Sequence, residues 1–443
     1  MDDATARAWL DAHVNLESLG RPVGESRRAV APTLDRIRSL TELLGSPQLD
    51  LPAIHITGTN GKTSVSRMAT ALLMASGIHV GTYTSPHLRV VNERLTADGV
   101  PVSDTVLADL LTQIAVVEEF LPATPSYFEI LTAAAFAWFS DLPVGAAVVE
   151  VGLGGRWDAT NVIDAQVAVI TNVSIDHVEY LGTTRAEIAT EKSGIVKPGS
   201  TLVLGETDPE LVRVFEAAPH VRLVLRDRDF GVHTRRAALG GQVLDLFSPS
   251  AVYSDVHVPL YGSHQADNAA IALAAVESFV GGALDPTRVA EAFAGVRSPG
   301  RLEVVGHQPL VLLDGAHNVA GAVSLLRTLR DEFAPAPRTL VVGLLREKNP
   351  DEMLAAFGLP DVEHLICTRP PSPRAADPRT LAAAARALGV ADARISVVDD
   401  VAAALEHAAE VTDPDGQIVV TGTLYLVGAA SAVLTPDRYP PRP

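Results

Sequence analysis

Cysteine is nearly absent from this sequence. Cys367 is the only one in 443 residues, so an intramolecular disulfide and a multi-cysteine zinc site are both excluded, and a reducing compartment fits. Positive charge is scarce as well. Against 53 Asp and Glu stand 35 Lys and Arg, giving a formal net charge of -18, and no block of five or more basic residues occurs. The electrostatic footprint of a duplex-binding protein is therefore missing. Any anionic ligand must be held locally, by a few placed cations and backbone amides. Long apolar runs are missing too: stretches such as "ILTAAAFAWF" are too short to cross a bilayer, and "MDDATARAWL" lacks the basic flank and apolar core of a secretory signal. The expectation is a cytoplasmic protein with neither nucleic acid nor membrane as partner.

What is present is a globular composition, 47% hydrophobic and 20% charged, on a length that suggests roughly two or three domains. Short β-branched runs alternate with helical patterns almost from end to end. Strands are expected at 53–57, 146–151, 166–171, 201–205, 310–314, 339–344, 364–368 and 417–422, most of them apolar throughout, as in a parallel sheet covered on both faces. Between them lie helical patterns such as "SVSRMATALLMASG" and "VAGAVSLLRTLRDEF". This grammar predicts the α/β class. From Asp229 to Leu260 short alternating segments with a "GG" at 240–241 suggest a small antiparallel appendage. At "RSPGRLE", Arg297 to Glu303, Pro and Gly interrupt the helical pattern and a fresh β-α series begins. The expected division is 1–298, a P-loop-type, mostly parallel sheet domain, and 299–443, a smaller Rossmann-like α/β domain.

One stretch carries chemistry. In "IHITGTNGKTSV" an apolar strand meets Gly58, Thr59, Asn60, Gly61, Lys62, Thr63 and Ser64, and then a helix. Glycines let backbone N–H groups turn inward, the helix start adds positive potential, Lys62 can reach outer phosphates, and a hydroxyl from Thr63 or Ser64 suits Mg²⁺. The spacing departs from G-x-x-x-x-G-K-[ST], because Ile56 stands where the first glycine would be. Phosphoryl chemistry needs hard oxygen ligands, sought at the carboxyl ends of neighbouring strands. Glu150 lies near the end of one apolar strand, and a carboxylate there is costly to bury unless it meets a cation. Asp176 and His177 follow another strand, where an N-cap and a hydrogen-bonded core histidine are the alternative readings.

"GTNGKTS", "SPHL" with "NERL", "EVGLGGRWDATN", "SIDHVEYLG", "EKSGIVKPG", "SPGRLE", "LDGAHN" and "TGTLY" occur in the order seen in the Mur ligase superfamily. From Leu16 to about Leu434 the chain resembles the bacterial dihydrofolate synthase/folylpolyglutamate synthase family, most weakly through 206–258. The resemblance implies an ATP-dependent amide ligase. A substrate carboxylate takes the γ-phosphate to give an acyl phosphate, and the amine of L-glutamate displaces phosphate; dihydropteroate or a reduced folate is the acceptor. It further implies that Lys62 and Thr63 contact the phosphates and magnesium, and that Ser85, Glu150 and His177 hold magnesium. Two Mg²⁺ ions are implied, with a monovalent cation such as K⁺ left open. Lys192 matches a lysine that the family carbamylates into a metal ligand. Asn268 and Arg301 match nucleotide contacts, while Asp314 and His317 match the second-domain side of the cleft. Tyr127, Phe128, Asp158 and Ala159 fall at pterin-pocket positions, Thr423 and Tyr425 in a glutamate-contacting segment. A monomer is expected. The rival readings are a ligase with one of the two activities, another Mur-type ligase, and a nucleotide-binding protein without catalysis.

Overall fold

The computed structural model describes residues 1–15 and 33–436; Leu16, where the resemblance begins, lies outside them. The chain forms two compact units. The first comprises residues up to Pro259 together with His264–Arg297, and the second comprises Leu260–Ser263 and Ser298 onward.

The first unit is built on β1 (Ala53–Thr57), β2 (Val80–Tyr83), β3 (Leu95–Ala97), β4 (Val100–Pro101), β5 (Ala146–Glu150), β6 (Val167–Ile170), β7 (Thr201–Leu204) and β8 (Arg222–Leu225). They are ordered β4-β3-β2-β5-β1-β6-β7-β8, parallel from β2 to β8, with β3 and β4 antiparallel at one edge. Every residue of β1 and β5 is buried, which is why these strands read as mostly apolar rather than alternating, with His55 and Thr57 in β1 and Glu150 in β5 as buried polar exceptions. On one face the helices Asp104–Glu118 and Tyr127–Asp141 pack against Tyr83, Ala147 and Val149. The second of these helices starts with a capping box: Glu129 N–H donates to the Ser126 hydroxyl, and Ser126 N–H donates to the Glu129 carboxylate. Helix and sheet touch closely there, because a Cβ on Gly81 would stand 2.5 Å from the Phe139 ring.

The appendage is a three-stranded antiparallel sheet, β9 (Gly231–Ala238), β10 (Gly241–Phe247) and β11 (Val252–Val258). Tyr253 of β11 fastens it: its hydroxyl donates to Glu277 at 2.6 Å and accepts from Leu284 N–H at 2.8 Å.

The second unit holds β12 (Glu303–His307), β13 (Leu310–Asp314), β14 (Arg338–Val342), β15 (His364–Cys367), β16 (Ile395–Val397) and β17 (Gln417–Thr421), ordered β12-β13-β17-β14-β15-β16. All neighbours are parallel except the β12-β13 hairpin. The tetrapeptide Leu260–Ser263 belongs to this unit through the Tyr261 ring, 4.8 Å from that of Phe333, and through Gly262 N–H, which donates to Glu332. The two-domain α/β class with its antiparallel appendage is the one expected from the sequence. No helix among the described residues is long and apolar enough to cross a membrane.

Candidate active site

The glycine loop joins β1 to the helix Lys62–Ala75. Gly58 has φ +152° and Gly61 φ +85°. A Cβ on Gly58 would lie 1.8 Å from Thr171 Oγ1, and one on Gly61 2.5 Å from Asn268 Oδ1. Both positions therefore require glycine by conformation and by space. Because β1 runs through Thr57, Ile56 is still strand and the loop is shorter than the general rule assumes. Its ordering comes from the segment after β6 instead. Thr59 N–H donates to Asn172 O at 3.0 Å, and Asn60 N–H to Asn172 Oδ1 at 3.0 Å. Thr171 Oγ1 and Asn172 Nδ2 both donate to Asn60 O, at 2.6 and 2.9 Å. Asn172 thus holds the loop from two sides. Sequence reasoning passed over it, although two polar residues directly after an apolar strand were the available signal.

Lys62 folds back over the loop, its Nζ donating to Gly58 O at 2.9 Å and Thr59 O at 3.3 Å. Ser64 is buried, whereas the Thr63 hydroxyl points to the end of β5 and donates to Glu150 Oε1 at 2.9 Å. Strand register makes this possible, since Ile56 of β1 pairs with Glu150 of β5. Ser85 lies just past β2, the next strand beyond β5. Asp176 and His177 lie beyond β6, on the other side of β1. His177 adopts φ +50° at the start of a short helical turn, its N–H donating to Asp176 Oδ1 at 2.8 Å. The sheet thus brings Gly58–Thr63, Ser85, Glu150, Asp176 and His177 to the carboxyl ends of four adjacent strands, where open α/β sheets bind ligands.

Lys192, near the end of the helix Arg185–Ser193, is 2% exposed. Burial, and secondarily the positive charge of Lys62, push its ammonium down to about 7, while Asp176, Glu191 and Asp158 act in the opposite direction. The free-amine form of this lysine is thereby favoured far more than for an exposed lysine. The "EVGLGGRWDATN" segment packs directly on its helix: Arg156 N–H donates to Glu191 O at 2.9 Å, and a Cβ on Gly155 would sit 3.0 Å from Lys192 Cα.

Among the aromatic candidates, Tyr127 is a core residue with the Arg94 guanidinium 5.6 Å from its ring centre, and Phe128 is half-buried against Gly152. Asp158 is 6% exposed; Oδ1 accepts from Thr160 N–H and Oγ1–H, and Oδ2 from Leu153 N–H at 2.8 Å. Burial raises its carboxyl against these bonds. It caps the 3₁₀ turn Ala159–Val162, in which Ala159 is buried.

The second unit gathers its candidates at the ends of β13 and β17, which pair Asp314 with Thr421. Asp314 accepts from Leu302 N–H at 2.8 Å and Ala316 N–H at 2.9 Å; burial raises its carboxyl and the Arg301 charge opposes that rise. The His317 ring lies 2.8 Å from Gly315 O through Nδ1. Thr423 caps the helix Leu424–Leu434 by accepting from Leu426 N–H at 3.0 Å, with Tyr425 half-buried in the first turn.

Mg²⁺ bound beside nucleotide phosphates takes one or two protein oxygens, with phosphate and water completing its shell. The Thr63–Glu150 pair at the loop mouth fits that demand. Among the described residues no three His, Cys, Asp or Glu side chains converge into a ready metal cage.

Fold and loop together define a Mur-type ligase. The Mur ligase middle domain matches residues 56–276, and the Mur ligase glutamate ligase domain matches 300–424. The dihydrofolate synthase/folylpolyglutamate synthase of Mycobacterium tuberculosis is 43% identical over 92% of this chain and 91% of its own length. Folylpolyglutamate synthase of Lacticaseibacillus casei is 35% identical over 90% and 94%. A crystal structure of M. tuberculosis folylpolyglutamate synthase complexed with ADP and AMPPCP superposes with a TM-score of 0.87 at 41% identity, covering 98% of this chain and 99% of that one. The chain belongs to the dihydrofolate synthase/folylpolyglutamate synthase family.

Proposed function

We propose that this protein is an ATP-dependent ligase that joins L-glutamate to dihydropteroate and extends reduced folates with γ-linked glutamates. The carrying observation is the Thr63 hydroxyl bonded to Glu150 at the mouth of a glycine cradle, which unites phosphate-binding amides and hard metal oxygens in one place. A carboxylate is a poor acyl donor. Transfer of the γ-phosphate to it makes phosphate the leaving group, and the glutamate amine then attacks the acyl phosphate. Positioning and charge compensation supply most of such catalysis.

The loop amides of Gly58–Gly61 and the Lys62 ammonium balance phosphate charge, with Asn268 packed against Gly61 to hold the loop in shape. Thr63, Ser85, Glu150 and His177 are the residues that would hold Mg²⁺, two ions in all, whose chemistry is to neutralise charge on the transferred group. Lys192 acts as a carbamate: its neutral amine adds to CO₂ and loses a proton, turning a buried cation into an anionic ligand. Arg301 and Asp314 serve the nucleotide and His317 the reacting groups; Tyr127, Phe128, Asp158 and Ala159 shape the pterin pocket, and Thr423 and Tyr425 receive glutamate. The enzyme works as a cytoplasmic monomer, with residues 1–298 carrying ATP and folate and 299–443 the glutamate-ligase function. K⁺ is a further ion to test. ADP release measured with dihydropteroate or tetrahydrofolate, with and without glutamate, tests the proposal. Release requiring both acceptor and glutamate is expected; turnover indifferent to glutamate defeats it, and activity with one acceptor alone favours a monofunctional enzyme.

A further inference from the structure

His55 sits in the middle of β1 and is fully buried. Its Nε2 lies 2.8 Å from Thr160 Oγ1, and that same oxygen lies 2.5 Å from Asp158 Oδ1. Counting protons fixes the direction of the chain. The Thr160 hydroxyl has one hydrogen. Asp158 accepts from the N–H groups of Thr160, Leu153 and Gly152, as a carboxylate does, so the hydroxyl hydrogen points to Asp158. Thr160 must then accept, and His55 must donate from Nε2–H. Nδ1 consequently carries a lone pair, and that atom is buried with no hydrogen-bond partner among the described residues. An unsatisfied buried nitrogen calls for an explanation. A leucine would fill the same apolar face without that cost, so the ring is explained by what Nε2 does. Charging offers no alternative, since burial, and secondarily the Lys197 charge, push the imidazole down to about 3.

What Nε2 holds is a loop that lies against the candidate site. Asp158 gathers Leu153 and Thr160 around one carboxylate, and a second residue of β1, Thr57, donates from Oγ1 to Gly154 O at 2.6 Å. From there Arg156 N–H reaches Glu191 O and Trp157 N–H reaches Glu191 Oε1, on the helix that carries Lys192. A Cβ on Gly194 would stand 2.6 Å from Arg156 Cα, so loop and helix have no room to slide. β1 is also the strand that ends in the glycine cradle. One strand therefore sets two things at once: the cradle through its end, and the Lys192 helix through its buried polar side chains.

We propose that His55 is a positioning residue of the ligase, fixing the Gly152–Asp158 loop through Thr160 and Asp158 and thereby the placement of Lys192 beside the phosphate cradle. The inference rests on the ligase reading for its kinetic consequence, and on the hydrogen-bond chain alone for its structural one.

Four single variants of the full chain, His55→Leu, His55→Gln, Thr160→Val and Thr160→Ser, and the double variant of His55→Leu with Thr160→Val test it. A glutamine amide can donate from about where Nε2 stands, and serine keeps the hydroxyl. His55→Leu and Thr160→Val are each expected to lower kcat for glutamate-dependent ADP release by about tenfold, with the KM for ATP little changed, as a small misplacement does. The double variant is expected to be no worse than either single one, because one chain is being cut. His55→Gln and Thr160→Ser recover most of the rate. Hydrogen exchange at the Leu153 and Arg156 amides should accelerate in the two disruptive variants and not in the conservative ones. A lower melting temperature with unchanged kcat and unchanged exchange, or additive losses in the double variant, overturns the proposal. Should His55→Leu fail to fold, nitrogen NMR of the wild-type imidazole decides: Nε2–H supports the chain and Nδ1–H overturns it. A wild type that ignores glutamate sinks the ligase reading instead, and exchange and NMR then decide whether the hydrogen-bond chain stands.

Discussion

The carboxyl ends of the parallel strands are furnished differently in the two units. In the first, groups held in costly states gather there: His177 at φ +50°, a buried Glu150, and, on the helix Arg185–Ser193, Lys192 with its ammonium pushed down to about 7. In the second, Asp314 is also buried with its carboxyl raised, but it accepts from Leu302 and Ala316 N–H and feels the Arg301 charge, while Asn318 and Thr423 cap helices. The same α/β architecture thus offsets its buried carboxyl with backbone bonds and an arginine in one unit, and in the other keeps a lysine whose charged form burial disfavours. Strain and desolvation mark chemistry more sharply than the mere presence of polar side chains at strand ends.

The largest expected effect comes from the first unit. Lys62→Ala should lower turnover by on the order of 10²–10³-fold through lost charge compensation; near-normal ADP release would abolish the contrast. Lys192→Gln should come next, and wild-type activity should rise with added bicarbonate and as pH passes upward through about 7, where the amine loses its proton. Stability gives an independent sign. Lys192 is charged when unfolded up to about 10.5 but neutral when folded above about 7, so its burial penalty is complete below 7 and lessens as pH climbs between these values. Lys192→Met should therefore melt higher than wild type at pH 6.5, and the advantage should shrink toward pH 10; a gain that grows with pH refutes the assignment. Glu150→Gln should raise the magnesium concentration needed for half-maximal rate by about tenfold, measured in a Mg²⁺ titration. In the second unit the effect of a cap substitution should be smaller and should combine a change in the KM for glutamate with a loss of stability. Thr423→Ala should cost about 1 kcal/mol through the lost cap, read by denaturant melts. A KM for glutamate left unchanged by Thr423→Ala would remove this residue from the glutamate site and leave it only the cap.

Apolar strands were legible: Ala53–Thr57 and Ala146–Glu150 are buried throughout and stand where their largely apolar runs put them, because a strand covered on both faces carries few polar positions. Strands not anticipated include Leu95–Ala97, Val100–Pro101 and Ile395–Val397, short and partly exposed, and the buried Val80–Tyr83, whose Gly81 and Thr82 interrupt the apolar run. Composition and motif order alone determined the α/β class, the cradle and the family. Only the tertiary structure decided that Thr63 rather than Ser64 meets Glu150, that Asn172 holds the loop, that Tyr127 is core, and that His55 reaches Asp158 through Thr160. Each of these depends on strand register and on which face a side chain takes. Such contacts join residues about a hundred positions apart in a folded sheet, and no local pattern encodes them.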